Sequence, residues 1–508
     1  MLRPHQDRPP SGVTIQVEGL HRNGKGSADA PQAAIYGLFA PGSLALKWYI
    51  SPMQKPAMGL ILAGSAQELL WICVRSLGPL REHTVAFLCL IFLIFISCIS
   101  TYFHLPIRRK REIRILLFFA ALFRFTLIPA PPSQSEDVYR YLWDARVSSA
   151  GISPYAHPPA AVELARFRDE AVYPMINSKS YITAYPPLSQ ILFRANFELF
   201  GGKIAAMKAM FSLLEFMAVI VAWRLLVLWG LSVQPLVLMA WNPLFIFEFS
   251  HSGHSDSAMM FLMLLSVYLL SLSGNAWAMA SYAGAVLAKL HPALWFPLFW
   301  RRTGWKPALA GLAVGAGLSA AYFTPESGLR YLRSLGLYFR LFEFNAGIHY
   351  LIRFIGRAVF HESWDKAIGP YLAAALLVTA ALILWRWRVR DGRDLLHAGF
   401  WLMTADLCLA TTVHPWYLSW AALALPFFPY AFMVYWTGAC FLSYAAYAFH
   451  PVYEPGWILL LEYIPVYGLM AWELRRRRPM MEAWRHVDKP AEPGCDSHQD
   501  PSRAHDAS

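Results

Sequence analysis

Apolar stretches close to the length of a membrane crossing recur from about residue 58 to residue 474, far more of them than a water-soluble domain can bury. Candidate spans run roughly over 58–80, 84–105, 113–129, 187–201, 204–229, 233–250, 256–273, 276–300, 305–324, 369–387, 394–413, 416–429, 430–449 and 457–474. They are continuous apolar runs rather than the alternating segments of a barrel. Twenty Trp, 24 Tyr and 33 Phe suit aromatic belts at two membrane interfaces. With 57% apolar and 15% charged residues among 508, an ordinary soluble enzyme is excluded. The expected fold is all-α, a polytopic transmembrane helical bundle of about 12 to 14 membrane segments with further helices in its outer loops.

The net charge of +12 does not form one basic surface, so nucleic acid is not an expected partner. Basic residues cluster between apolar runs: Arg108 to Arg111 with Arg114, Arg301 with Arg302 and Lys306, Arg386 to Arg393, and Arg475 to Arg478. By the positive-inside rule all four clusters lie in the cytoplasm. The expected organisation is a polar cytoplasmic segment over 1–56, a membrane domain over 57–478 and a disordered cytoplasmic tail over 479–508. Five of the six cysteines lie in apolar runs and Cys495 lies in the tail, so no disulfide framework follows.

A cytoplasmic 108–114 sends the next helix outward and makes 130–186 a large outer loop. Unlike the basic loops it is nearly balanced, with six acids and five bases between Ala130 and Tyr185. A second outer loop, 325–368, mixes aromatic and charged residues and suits interfacial helices such as Leu329–Leu341. Gly311 and Gly315, four apart, read as a helix-packing face.

If Asp137 to Arg146 is helical, Asp137, Arg140 and Asp144 share one face just beyond an apolar helix end. A carboxylate there can act as a general base toward a hydroxyl, and Arg140 or Arg146 can hold a phosphate. The competing reading is a solvated helix in which Arg140 and Arg146 pair with Asp144 and Glu136. His251, His254 and Asp256 have a spacing that can ligate a metal, with a polar helix cap at Asp256 as the plainer account. Lys289, within an apolar run, is a functional candidate unless it snorkels to the interface. No Asp-x-Asp occurs near the acidic cluster, so no bridging divalent metal, and no other cofactor, is expected.

The string EDVYRYLWDARVSSAGISPY, Glu136 to Tyr155, followed by AYPPLSQ from Ala184, resembles the first outer loop of the bacterial C-fold (GT-C) mannosyltransferases that use polyprenol-phosphate mannose. Weaker elements of that family look like Asn242-Pro243-Leu244, Gly253-His254-Ser255-Asp256, Lys289-Leu290-His291-Pro292, Phe344-Asn345 and His414-Pro415-Trp416-Tyr417. The resemblance implies a hexosyltransferase of the bacterial plasma membrane with its site facing the periplasm or exterior. It would move a hexose, mannose by the likeness, from a polyprenyl phosphate to a glycan or lipid hydroxyl with inversion. Asp137 matches the family's acid before Val-Tyr and is the expected base, with Glu136 second. Arg140, Asp144, Arg146, His254, Asp256, Lys289, His291, Asn345, His414 and Tyr417 are the expected substrate contacts.

The alternative function is a secondary transporter or lipid flippase with Lys289, Asp256 and Arg140 along its path. A scaffold without chemistry would leave the acidic cluster unexplained. Neither internal repeats nor paired broken helices are visible, and the polar residues gather at helix ends. If all fourteen apolar runs cross, His254 and Asp256 end on the side opposite Asp137. A twelve-crossing arrangement, with 187–201 along the interface and the 276–300 run broken near His291-Pro292, brings them together.

Overall fold

The computed structural model describes residues 55–481 apart from 321, 363, 450 and 478; most of the expected N-terminal segment and C-terminal tail lies outside the described residues. Among the described residues all regular structure is helical, and the single β-bridge, Phe344 to Thr412, belongs to no strand. The helices are α1 (Lys55–Ser76), α2 (Thr84–His104), α3 (Lys110–Leu127), α4 (Asp137–Ser149), α5 (Pro187–Phe200), α6 (Ile204–Leu228), α7 (Val237–Ala240), α8 (Pro243–Ile246), α9 (Asp256–Ser271) and α10 (Asn275–Ala288). They continue with α11 (Phe296–Thr303), α12 (Trp305–Ala320), α13 (Pro325–Leu341), α14 (Gly347–Val359), α15 (Asp365–Arg386), α16 (Gly392–Leu409), α17 (Ser419–Ala422), α18 (Ala431–Ala439) and α19 (Gly456–Arg476). Five described helical segments are long and apolar enough to cross a membrane: α1, α2, α6, Ile368–Arg386 within α15, and α19.

Two expected single spans are broken. The run 233–250 becomes a 3₁₀ turn, α7, α8 and a π-helical turn, Phe247–His251. Pro235 opens the 3₁₀ turn, and Asn242 caps α8 ahead of Pro243 by accepting the Leu244 N–H. The run 416–429 likewise yields short turns around Pro415, Pro426 and Pro429, whereas 430–449 runs as α18 directly into the 3₁₀ helix Cys440–Ala448. These segments are buried, so neighbouring helices can satisfy what their backbones leave unpaired. One such group is the carbonyl of Ala240 at the α7–α8 break, which accepts from Arg124 Nη1 at 3.0 Å. The same guanidinium is ion-paired to buried Glu215 on α6.

The α5 segment is short, as the interfacial reading requires, and the 276–300 run does break: α10 ends at Ala288, Lys289 is extended, and a 3₁₀ turn starts at His291 before Pro292. Gly311 packs closely on α10, where a Cβ would meet the Met279 carbonyl at 2.9 Å. Gly315 touches nothing comparable, so the expected two-glycine face reduces to one close contact.

A second core cluster sits beneath the segment 130–186. Val138, Tyr141, Leu142 and Ala145 of α4 are buried with Phe193 of α5 and Met207 and Phe211 of α6. Tyr141 stacks on Phe193 at 4.4 Å between centroids. Helix α4 is therefore docked onto the bundle and is not a free solvated helix.

Candidate active site

Docking α4 by its apolar face leaves its first residue, Asp137, at the edge of the bundle with a side chain about one-fifth exposed. Its Oδ1 accepts from Asn177 Nδ2 at 3.1 Å. Its Oδ2 lies 3.5 Å from His254 Nδ1. Asp137 and His254 therefore lie side by side.

The turn carrying His254 follows from the π-helical turn before it. Ser252 N–H donates to the Phe247 carbonyl and His254 N–H to the Glu248 carbonyl, each at 3.1 Å. The reversal needs a left-handed residue, supplied by Gly253 at φ +77°. It folds the imidazole back so that His254 Nε2 stands 3.4 Å from Glu248 Oε2, with both side chains sealed from solvent. Tyr444 donates to the other Glu248 oxygen at 2.8 Å. The imidazole lies flat on Trp416 at 3.7 Å, and Trp416 on His414 at 4.3 Å. Burial alone would lower the His254 pKa, but the carboxylates of Asp137 and Glu248 overcome it and raise it to about 9. Burial pulls Asp137 upward, yet His254 first, then Asn177 and Lys289, hold it well below the usual carboxylate range. His414, buried among rings, is pushed down to about 3.

Lys289 forms the other side of the site. The break after α10 sets its Nζ 3.2 Å from both oxygens of Asp256, the first residue of α9. Trp420 Nε1 donates to Asp256 at 2.6 Å. The ammonium also lies 5.3–5.9 Å from the ring centres of Tyr185, Tyr417 and Trp420. His291 stacks on Trp420 at 3.7 Å and meets Asp406 at 2.8 Å. Asp137, His254, Asp256, Lys289, His291, His414 and Tyr417 thus gather in one region.

The remaining candidates are placed differently. Glu136 turns to Arg81 at 2.6 Å, and Arg146 to Asp169 at 2.5 Å, so these two do not pair with each other. Arg140 and Asp144 form a buried pair at 2.9 Å, with Gln190 donating to Asp144 and Arg140 donating to the Tyr181 carbonyl. They tie α4 to α5 and to the loop behind the site. Asn345, at φ +47°, is fully buried and binds the Val413 carbonyl and the carboxylates of Glu454 and Glu462. It clasps the segment before α14 to α19 and the His414 segment.

The His-x-x-His-x-Asp spacing does not converge. His251 stacks on Phe247, His254 faces two carboxylates, and Asp256 faces Lys289. Among the described residues no three His, Cys, Asp or Glu side chains are grouped to hold a metal ion.

Sequence reasoning gave no role to Glu248, Trp416, Trp420, Asn177 and Asp406. Glu248 and Asp406 carried a usable signal, since each is an acid within an apolar run. The stacking and donor roles of Trp416, Trp420 and Asn177 arise only from tertiary contacts.

A helical membrane protein with a carboxylate, an imidazole and an ammonium gathered at one end of the bundle is equipped for transfer chemistry on a polar substrate. Residues 57–301 match the MptA_B family, described as alpha-(1->6)-mannopyranosyltransferase, N-terminal domain. Over that stretch the chain is similar to the N-terminal domain of a mannosyltransferase family, as its resemblance implied, which supports a glycosyltransferase. The matched stretch holds every site candidate up to His291; Asn345, His414 and Tyr417 lie beyond it. No curated protein and no solved structure matches the chain.

Proposed function

We propose that the protein is a GT-C mannosyltransferase that moves mannose from a polyprenyl phosphate to a hydroxyl of a glycan or lipid on the outer face of the membrane, with inversion. One observation carries this reading. Asp137 is a partly exposed carboxylate braced by His254 and Asn177, with Lys289 close enough to act on its charge.

In the reaction the acceptor O–H bond breaks and its proton passes to Asp137. The acceptor oxygen bonds the sugar C1, and the C1–O bond to phosphate breaks with its electron pair remaining on the lipid phosphate. Lys289 is the cation on the site's rim that meets the developing phosphate charge. Both cations are paired, Arg140 with Asp144 and Lys289 with Asp256, but Arg140 is buried and Lys289 is partly exposed, so the donor contact is assigned to Lys289. A strongly ionised carboxylate is a weak base toward a neutral alcohol. Proton transfer is accordingly late, after the oxygen has begun to bond a C1 with oxocarbenium character.

A transporter would place uncommitted polar groups through the bundle. Lys208 of α6 is instead engaged by the Leu127 and Ala130 carbonyls, and Arg124 by Glu215 and the Ala120 and Ala240 carbonyls.

The test is transfer of labelled mannose from a short-chain polyprenyl-phosphate mannose by membranes carrying the full chain. Activity with a nucleotide sugar and none with the lipid donor would overturn the donor assignment. For the side of the membrane, Ser180 is exposed on the first outer loop. A Ser180→Cys variant, in a background without the other cysteines, should label from outside; labelling only from the cytoplasm would reverse the orientation.

A further inference from the structure

We propose that Glu248 is a positioning residue for transfer: it holds His254 charged and fixed against Asp137, and keeps that buried charge compensated while Asp137 takes up the acceptor proton. The inference rests on the reading of Asp137 as the base.

The geometry is a chain of three groups that alternate in charge. His254 sits between Asp137 at 3.5 Å and Glu248 at 3.4 Å, both ion-pair contacts longer than an ordinary hydrogen bond. The two carboxylates differ in access, since Asp137 opens toward the site while Glu248 and His254 are sealed. Nothing about Asp137 alone requires a second acid beneath the imidazole, and an uncompensated buried carboxylate is costly. The local fold nonetheless secures Glu248 from several directions: the π-helical turn places it, its own carbonyl holds the His254 N–H, and Tyr444 binds its other oxygen.

The charge balance explains the arrangement. Before transfer the chain carries carboxylate, imidazolium and carboxylate. When the acceptor O–H breaks and Asp137 is protonated, its charge is lost, and His254 would be left as a buried cation without a partner. That state is strongly unfavourable unless a counter-charge remains. Glu248 supplies it, so His254 can keep its proton throughout and no second proton needs to move.

Other charged or titratable groups around this chain are Lys289, Asp256 and His414 at the site, Tyr141 of α4, and Cys440, Tyr444 and Tyr447 from the 3₁₀ segment Cys440–Ala448. Burial and the two carboxylates are the influences on His254 itself, so removing Glu248 weakens the hold on its proton.

The experiment compares the pH profile of mannose transfer for the full chain, Glu248→Gln, Glu248→Asp and Asp137→Asn in membranes. Glu248→Gln should move the alkaline limb down by about one pH unit or more, and Glu248→Asp should return it toward the wild-type position. A role limited to packing would lower the rate at every pH and leave the limb in place, which would overturn the inference. Should Glu248→Gln fail to accumulate, ¹⁵N resonances of His254 in the wild-type chain in nanodiscs decide: a neutral imidazole at pH 7.5 refutes the proposal, and a charged one supports it. Asp137→Asn separates the two readings. If it still transfers mannose, the assignment of the base is wrong, whereas its inactivity together with an unmoved Glu248→Gln limb rejects only the role of Glu248.

Discussion

Glu136 and Asp137 are adjacent in sequence but engage opposite neighbours: Glu136 is ion-paired to Arg81 at 2.6 Å, while Asp137 faces His254 and Asn177. Two acids that spacing alone left as alternatives are thus separated by the docking of α4. Asp137→Asn should lower mannose transfer by about 10²–10⁴-fold, the usual worth of a general base. Glu136→Gln should stay within about threefold of wild type, because an exposed ion pair is worth about 0–1 kcal/mol. Equal rates for both variants would remove Asp137 from the base role.

Lys289 is paired with a buried carboxylate, so a single substitution changes stability as well as rate. Lys289→Met leaves Asp256 without its cation and should both destabilise the protein and reduce transfer by about 10²–10³-fold. The double variant Lys289→Met with Asp256→Asn removes the orphaned charge. It should recover the thermal midpoint without recovering transfer, and recovery of both would assign Lys289 a structural role only.

The Asp137–His254 contact also sets a pH window for stability. The His254 pKa is raised to about 9 in the folded protein, so its contribution is fully present below about 6.5 and is lost as pH rises through 9. Asp137 is lowered, so its contribution is present above about 4 and disappears as pH falls further. Thermal unfolding in nanodiscs should therefore show a plateau between these limits, and His254→Gln should flatten its alkaline edge. An unchanged edge would mean that another group titrates there.

Gly253 is tested by a single methyl group. At φ +77° an alanine is strained, and its Cβ would meet Lys208 Cγ at 2.8 Å. Gly253→Ala should cost about 1–2 kcal/mol of stability and displace the His254 ring, with a matching fall in transfer. A wild-type midpoint and rate would show that the turn tolerates rearrangement.

Much of the site's first half was legible. The i, i+3, i+7 spacing of Asp137, Arg140 and Asp144 does define an α-helix, and His291-Pro292 does interrupt its segment. The roles within α4 were not legible, because spacing cannot distinguish an arginine that faces a ligand from one buried against Asp144 and the Tyr181 carbonyl. Hydropathy also misjudged 233–250 and 416–429 as single helices. An apolar run reports burial, whereas the breaks at Pro235, Asn242-Pro243 and Pro426 depend on whether neighbours satisfy the freed backbone.

Trp416, against which His254 rests, and Tyr444, which braces Glu248, both come from the last hundred residues, beyond the stretch shared with the mannosyltransferase family. A nascent chain that has emerged only as far as Arg301 already holds its acid, its imidazole and its lysine, yet lacks the wall and the brace that set them. Such an unfinished molecule should be chemically silent during synthesis, so transfer cannot begin until the final helices have entered the bilayer.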